Sequence, residues 1–202
     1  MPEIDQSMAI LALWALAGYV VGSIPFGMVI AKVMGLGNLR NIGSGNIGAT
    51  NVLRTGSKPA AASTLLLDGG KGAAIVLAAR AAGGEDTAQI AGLMAMVGHC
   101  YPVWLRFAGG KGVATFLGLM LAFNFWLGLA CCGAWLVGAA VSRISSVGAL
   151  TSAAASAPLM LVFGYGQGVV IALILTALIY WRHRGNIARI RAGTEPRIGQ
   201  KG

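Results

Sequence analysis

Acidic side chains are nearly missing from this sequence. Six Asp and Glu stand against fifteen Lys and Arg in 202 residues, a net charge of +9. Charged residues of both signs make up only 10%, where a soluble domain carries about 25%. So few charges cannot cover a globular surface in water. With 56% hydrophobic residues and a mean hydropathy of +0.74, lipid is the expected solvent for most of the chain. Cysteine is scarce as well. Cys100, Cys131 and Cys132 lie in or beside apolar stretches without metal-ligand spacing or a pairing pattern, which argues against a disulfide framework or a zinc site and leaves them as filler. The two histidines have no carboxylate or thiolate at ligand spacing, so neither a metal nor another cofactor is expected. No basic signal start is present either: the chain opens Met1-Pro2-Glu3-Ile4-Asp5, so the first apolar run is read as a retained helix.

What is there is a series of apolar runs at about 8–31, 59–82, 87–105, 112–129, 130–144, 147–163 and 166–181. A spanning helix needs about 20 mostly apolar residues, which leaves room for several spans, short loops and no separate soluble domain. The expectation is an all-α polytopic membrane protein, residues 1–202 forming a single transmembrane domain of seven helices, with five as the fallback. The stretch 112–144 is nearly continuous; Asn124 and Gly133 offer places to turn, and two helices are expected there. Gly128, Gly133 and Gly138 are expected to form small-residue faces where helices approach closely. Seven helices with the N-terminus periplasmic and the C-terminus cytoplasmic put 13 of the 15 bases inside and Glu3, Asp5, Glu85 and Asp86 outside, as the positive-inside rule asks. Bases confined to loops between apolar runs fit topology and anionic ligands better than nucleic acid.

Polar, glycine-rich segments break this pattern on the basic side. In 41–54, glycines let backbone N–H groups turn toward one anion, Ser44, Asn46, Thr50 and Asn51 add donors, and Arg54 adds a guanidinium fork. A flexible loop is the bland alternative. Gly109-Gly110-Lys111-Gly112 enters a helix, whose N-terminus supplies free N–H groups beside the Lys111 charge; a lysine anchoring the helix at the interface is the alternative. This is not a P-loop, because the Gly-x-x-x-x-Gly-Lys-Ser/Thr spacing is absent. If the last helix continues, His183, Asn186 and Ile187 share one face, so that His183 and Asn186 reach a hydroxyl or phosphate together; a basic tail on lipid headgroups is the other reading. Glu195, the only acid of the tail, is expected in a structural salt bridge. Asp68 and Lys71, three apart inside an apolar run, pair and line a polar cavity opening inward, unless 59–66 lies partly outside the membrane. Ser145 and Ser146 either contribute hydroxyls or cap a helix.

Taken together these segments resemble the PlsY family, the bacterial acyl-phosphate:glycerol-3-phosphate acyltransferases. The resemblance covers Gly22-Ser23-Ile24-Pro25-Phe26-Gly27, Ser44-Gly45-Asn46-x-Gly48-Ala49-Thr50-Asn51-x-x-Arg54, Asp68-x-x-Lys71-Gly72, Gly98-His99, Gly109 to Thr115 and His183-x-x-Asn186-Ile187-x-Arg189, in order and nearly end to end. Ile190 stands where the family commonly has leucine. The resemblance implies acyl transfer from acyl phosphate to the 1-hydroxyl of glycerol 3-phosphate, giving lysophosphatidic acid, in a seven-helix protein of the bacterial inner membrane with its site facing the cytoplasm. It implies Ser44, Arg54, Lys111, His183 and Asn186 as glycerol 3-phosphate contacts. His183 and Asn186 are also its catalytic candidates. Gly45, Asn46, Gly48, Thr50 and Asn51 would form the pocket for the acyl-phosphate head. Asp68, Lys71, Ser145 and Ser146 would support them. Membrane lipid is the expected surroundings, and the enzyme that makes acyl phosphate is a candidate partner.

The general base stays open. The His-x-x-x-x-Asp pair of soluble glycerophosphate acyltransferases is absent, since no aspartate follows His99 or His183 at that spacing. No Ser-His-Asp triad or nucleophilic cysteine can be argued. Acyl phosphate has a good leaving group, so positioning and charge stabilisation supply most of the expected rate, with a substrate phosphate oxygen or His183 taking the proton. A transporter for an organic phosphate is the competing class, but no internal repeat is visible.

Overall fold

The computed structural model describes residues 2–199, and among these every regular element is helical. The helices are α1 (Met8–Gly22), α2 (Phe26–Val33), α3 (Ala49–Leu53), α4 (Lys58–Gly83), α5 (Glu85–Cys100), α6 (Val113–Phe123), α7 (Phe125–Ser142), α8 (Ser145–Val162), α9 (Val169–Arg182) and α10 (Arg184–Arg191). By length and composition, four stretches are long and apolar enough to cross a membrane: 8–33, α4, α7 and α8. A fifth is added if α9 and α10, bent by 62°, count as one. The outward faces are as apolar as the core. Val141 is 83% exposed and Leu66 73%, while Phe116, Leu119, Met160 and Leu175 are fully buried. Such a surface suits a lipid solvent.

Local chemistry sets the helix ends. Ser57 caps α4 by accepting from the Ala60 N–H at 3.3 Å, with Pro59 in the first turn. Gly84, at φ +91°, is the single residue between α4 and α5. Two boundaries differ from the sequence reading. The first run is broken at Ser23–Pro25, because Pro25 interrupts the helical hydrogen bonds. Of the two turning points offered in 112–144, the chain uses Asn124 and not Gly133, so the runs divide there and not at 129/130. The Asn124 side chain accepts from the Leu127 N–H at 3.1 Å and so starts α7, which then runs straight through Gly133. A Cβ on Gly133 would meet nothing within 4 Å, so that glycine forms no close approach, unlike Gly128 against Leu121 and Gly138 against Gly148 and Thr151.

Hydrogen bonds define two ends of the molecule. At one, the Asp86 carboxylate accepts from the Asp5 and Gln6 N–H groups at 3.0 and 2.9 Å, and Arg80 pairs with Glu85 at 2.9 Å. At the other, Thr50 meets Ser145 at 3.3 Å, Ile198 N–H donates to Arg143 O at 2.7 Å, and Arg182 reaches the 109–110 carbonyls. The α6 helix, only 11 residues long, begins within this second end, after the 101–112 segment has closed back onto the end of α5. A notch is thereby left between α4, α6, α7 and α8.

The tightest approach is that of α1 to α5. A Cβ on Gly22 would lie 2.1 Å from Ala95 O, and one on Gly18 2.2 Å from Ala91 O. Gly22→Val is expected to lower the thermal midpoint in detergent by several degrees, matching an overpacking cost of about 1–3 kcal/mol. Gly133→Ala is expected to leave it unchanged; equal losses from both would contradict this packing.

Candidate active site

The 41–54 loop is wound around one side chain. Asn51, 2% exposed, donates from Nδ2 to Leu39 O and Asn46 O at 3.0 and 2.8 Å. Its Oδ1 accepts from the Ser44 N–H at 3.0 Å and from Arg54 Nη1 at 3.3 Å. Buried backbone carbonyls need donors, and here an asparagine amide supplies them. The sequence reading offered Asn51 as a donor to a ligand; its amide is spent inside the loop, and it shapes the wall instead. Gly43 and Gly45 turn the chain at φ +51° and +66°. A Cβ on Gly43 would sit 2.5 Å from Arg54 Cδ, so this glycine lets the arginine lie across the loop. Arg40 holds the loop from behind through Gly45 O at 3.1 Å and through Ala108 O.

The 109–112 segment differs from expectation in a similar way. The Gly109 and Gly110 N–H groups are not free: they donate to Cys100 O and His99 O at 3.2 and 3.0 Å, closing the chain back onto the end of α5. Gly112 turns it at φ +80°, packed on Met96, so any unspent amides come from the first turn of α6, where Val113 and Ala114 line the cavity.

At the end of α9 the helix does not continue. The 62° bend at His183 starts α10 and carries Asn186 toward Lys111. His183 Nδ1 lies 2.8 Å from Ile179 O. A carbonyl only accepts, so Nδ1 carries the proton and Nε2 of the neutral ring is an acceptor. Burial pushes the His183 pKa down to about 4, outweighing the Ile179 bond, which leaves the ring neutral at pH 7. Lys111 Nζ donates to Asn186 Oδ1 at 2.5 Å, and Asn186 Nδ2 donates to Glu195. Glu195 also accepts from Ser146 Oγ and Arg189 Nε, both at 2.7 Å. Its expected salt bridge is present and is one part of a larger junction. Burial opposes the Glu195 charge, but these donors hold its pKa below the usual carboxylate value. Burial lowers the Lys111 pKa to about 8; Glu195 works against that, and Arg189, Arg182 and Arg54 add to it.

Deeper in, Lys71 Nζ donates to Asp68 Oδ1 and Ile24 O at 2.7 Å each and lies 3.0 Å from His99 Nδ1. Asp68 and Lys71 form the pair read from their spacing, but only Asp68 lines the cavity; Lys71 is sealed behind it. A Cβ on Gly110 would come within 2.1 Å of His99 Nε2, so the loop rests directly on this ring.

These groups surround one cavity of about 1090 Å³. It gathers Ser44, Asn46, Gly48, Thr50, Asn51, Arg54, Asp68, Lys111, Ser145, Ser146, His183 and Asn186; of the residues picked from sequence, Gly45 and Lys71 do not line it. His99, Arg182, Arg189 and Glu195 join the wall. Arg189 stands in the motif that carries the family resemblance without a role of its own there, and Arg182, next to His183, is not singled out by the sequence reading. An apolar arm, with Leu65, Leu117, Cys132, Trp135 and Leu136, runs from this polar head between α4, α6 and α7. Among the described residues no group of His, Cys, Asp and Glu could hold a metal ion.

The model of the family described as Glycerol-3-phosphate acyltransferase matches residues 12–193. The chain belongs to this family. A glycerol-3-phosphate acyltransferase of Roseobacter denitrificans is 71% identical over 198 residues, covering 98% of this chain and 99% of that one. One from Ruegeria pomeroyi is 62% identical over 201 residues, covering 100% and 99%. The crystal structure of PlsY, an integral membrane glycerol 3-phosphate acyltransferase, in its glycerol 3-phosphate form superposes with a TM-score of 0.88 at 38% identity, covering 94% of this chain and 96% of that one. Its lysophosphatidic acid form gives 0.85 at 35%, covering 94% and 95%. The membrane-protein reading of the sequence and its PlsY resemblance are thereby shown.

A lysine with a pKa of about 8 loses its charge just above neutrality. Affinity of the purified protein for inorganic phosphate, measured by calorimetry, is expected to fall about tenfold between pH 7 and pH 9 as Lys111 deprotonates. Lys111→Arg, which stays charged, is expected to remove this alkaline loss. An unchanged alkaline limb in that variant would mean that Lys111 does not meet the anion.

Proposed function

We propose that this protein transfers a fatty acyl group from acyl phosphate to the 1-hydroxyl of glycerol 3-phosphate, forming lysophosphatidic acid and inorganic phosphate, the first step of bacterial phospholipid synthesis. The observation that carries the reading is the shape of the cavity: a cationic, donor-rich head continuous with an apolar arm. The head suits two phosphoryl groups, and the arm suits one acyl chain. In this reading Ser44, Arg54, Lys111, His183 and Asn186 hold glycerol 3-phosphate. Asn46, Gly48 and Thr50 face the acyl-phosphate head, while Gly45 and Asn51 set the loop's shape. Asp68, Lys71, Ser145 and Ser146 hold the walls.

The hydroxyl oxygen attacks the acyl carbon, the bond from that carbon to the phosphate oxygen breaks, and phosphate leaves. His183 Nε2 accepts a hydrogen bond from the attacking hydroxyl and orients it. A ring with a pKa of about 4 is a poor proton acceptor, so a phosphate oxygen of the substrate takes the proton. Lys111 and Arg54 steady the negative charge as it moves to the leaving phosphate.

In the same reading the chain crosses a bacterial inner membrane seven times, as one domain, with the N-terminus periplasmic and the cavity and C-terminus cytoplasmic. The positive-inside rule favours that orientation, because the cavity end carries nearly all the bases. Acyl phosphate, made by a partner enzyme, enters along the apolar arm from the lipid.

Purified protein given palmitoyl phosphate and glycerol 3-phosphate is expected to release inorganic phosphate and form lysophosphatidate. Uptake of glycerol 3-phosphate into vesicles without product would point to a transporter. His183→Gln is expected to slow turnover about ten- to a hundredfold without abolishing it, measured as phosphate release. Complete loss with intact folding and intact glycerol 3-phosphate binding would assign the general base to His183.

A further inference from the structure

Arg182 joins the end of α9 to the 109–112 segment in the cavity wall. Its Nε donates to Gly110 O and its Nη2 to Gly109 O, both at 3.0 Å, and its guanidinium lies 4.9 Å from the centre of the Tyr101 ring. The Gly109 and Gly110 N–H groups are already bound to the end of α5, and both residues are buried. Without Arg182 the two carbonyls would be left without donors in a buried segment. The next residue along each chain faces the cavity: Lys111 follows Gly110, and His183 follows Arg182.

We propose that Arg182 is a positioning residue for acyl transfer: its two-pronged bond to the Gly109 and Gly110 carbonyls fixes Lys111 and His183 relative to each other. The inference rests on the acyltransferase reading above. A planar guanidinium reaches two neighbouring acceptors at once, and an ammonium cannot hold both in the same register. A shift of about 1 Å between two substrate-holding groups costs on the order of a hundredfold in rate, so loss of the fork is felt although Arg182 itself transfers nothing.

The test compares Arg182→Lys, Arg182→Gln and Arg182→Ala with the wild type, using palmitoyl phosphate and glycerol 3-phosphate, with thermal midpoints recorded in the same detergent. Arg182→Lys keeps the charge and is still expected to lose about ten- to a hundredfold in kcat/KM, close to Arg182→Gln. Millimolar guanidinium is expected to restore part of the Arg182→Ala activity where methylammonium does not. Arg182→Lys within twofold of wild type would make the charge sufficient and overturn the proposal. So would rescue by both cations or by neither. In the wild type, the Arg182 Nε–H is expected to exchange slowly with solvent by NMR; rapid exchange would overturn the fork even if the variants fail to fold. A wild type inactive with palmitoyl phosphate would sink the acyl-phosphate reading itself, whereas an active wild type matched by Arg182→Lys sinks only this inference.

Discussion

Lys71 is the ammonium around which the working end is assembled. Its side chain is 2% exposed inside a helix that faces lipid, where a charge without partners would cost several kcal/mol. An ammonium has three donors, and three acceptors surround this one: Asp68 Oδ1, Ile24 O and His99 Nδ1. Each belongs to a different part of the chain. Ile24 lies in the break between α1 and α2, so the interruption at Pro25 offers its carbonyl to the lysine. Asp68 lies on α4, one turn away. His99 lies at the end of α5, where its ring supports Gly110 and its carbonyl accepts from the Gly110 N–H. The buried ion pair therefore links three helices to the loop that carries Lys111. Removal of either partner would strand a charge, which costs far more than the pair contributes.

A hydrogen-bonded route continues from that loop to the far end of the chain. Arg182 joins the Gly109 and Gly110 carbonyls to α9, and Lys111 meets Asn186 on α10. Glu195 then joins α10 to Ser146 on α8. The bend at His183 is what lets α10 reach inward; a straight continuation would have carried Asn186 away from the cavity. Asn51 plays the same organising part within the 41–54 loop.

Much of this was legible in the sequence. Every apolar run carries helix, and the polar segments that interrupt them do meet, because few charges and many glycines leave little else for them to build. Spacing revealed the Asp68–Lys71 pair, since three residues on a helix is a contact distance. What could not be read was long-range pairing. Lys111 and Asn186 are 75 residues apart, and no periodicity relates them. Helix breaks inside uniform apolarity were also hidden: hydropathy does not fall at Ser23–Pro25, and Asn124 was weighed equally with Gly133. The capping side chain of Asn124 decided between them, for a glycine inside an apolar helix needs no partner whereas an asparagine does. Free amides were overcounted for the same reason. A glycine-rich loop suggests N–H groups awaiting an anion, yet a buried loop must first satisfy its own backbone.

Two acids line the cavity, and Asp68 is taken up by Lys71, so the placement of Glu195 decides how the remaining cationic groups are balanced. Arg54, Lys111, Arg182 and Arg189 crowd one cavity, and their repulsion calls for a counter-charge. Glu195 supplies it, but its side chain is only 7% exposed and is taken up by Arg189, Ser146 and Asn186. The groups nearest the open space instead bind neutral acceptors: Lys111 takes the amide oxygen of Asn186, and Arg54 that of Asn51. In the proposed reading a substrate phosphate would compete with amides, which it displaces readily, and not with a carboxylate, which it would not. The carboxylate thus balances the charge from behind the amide.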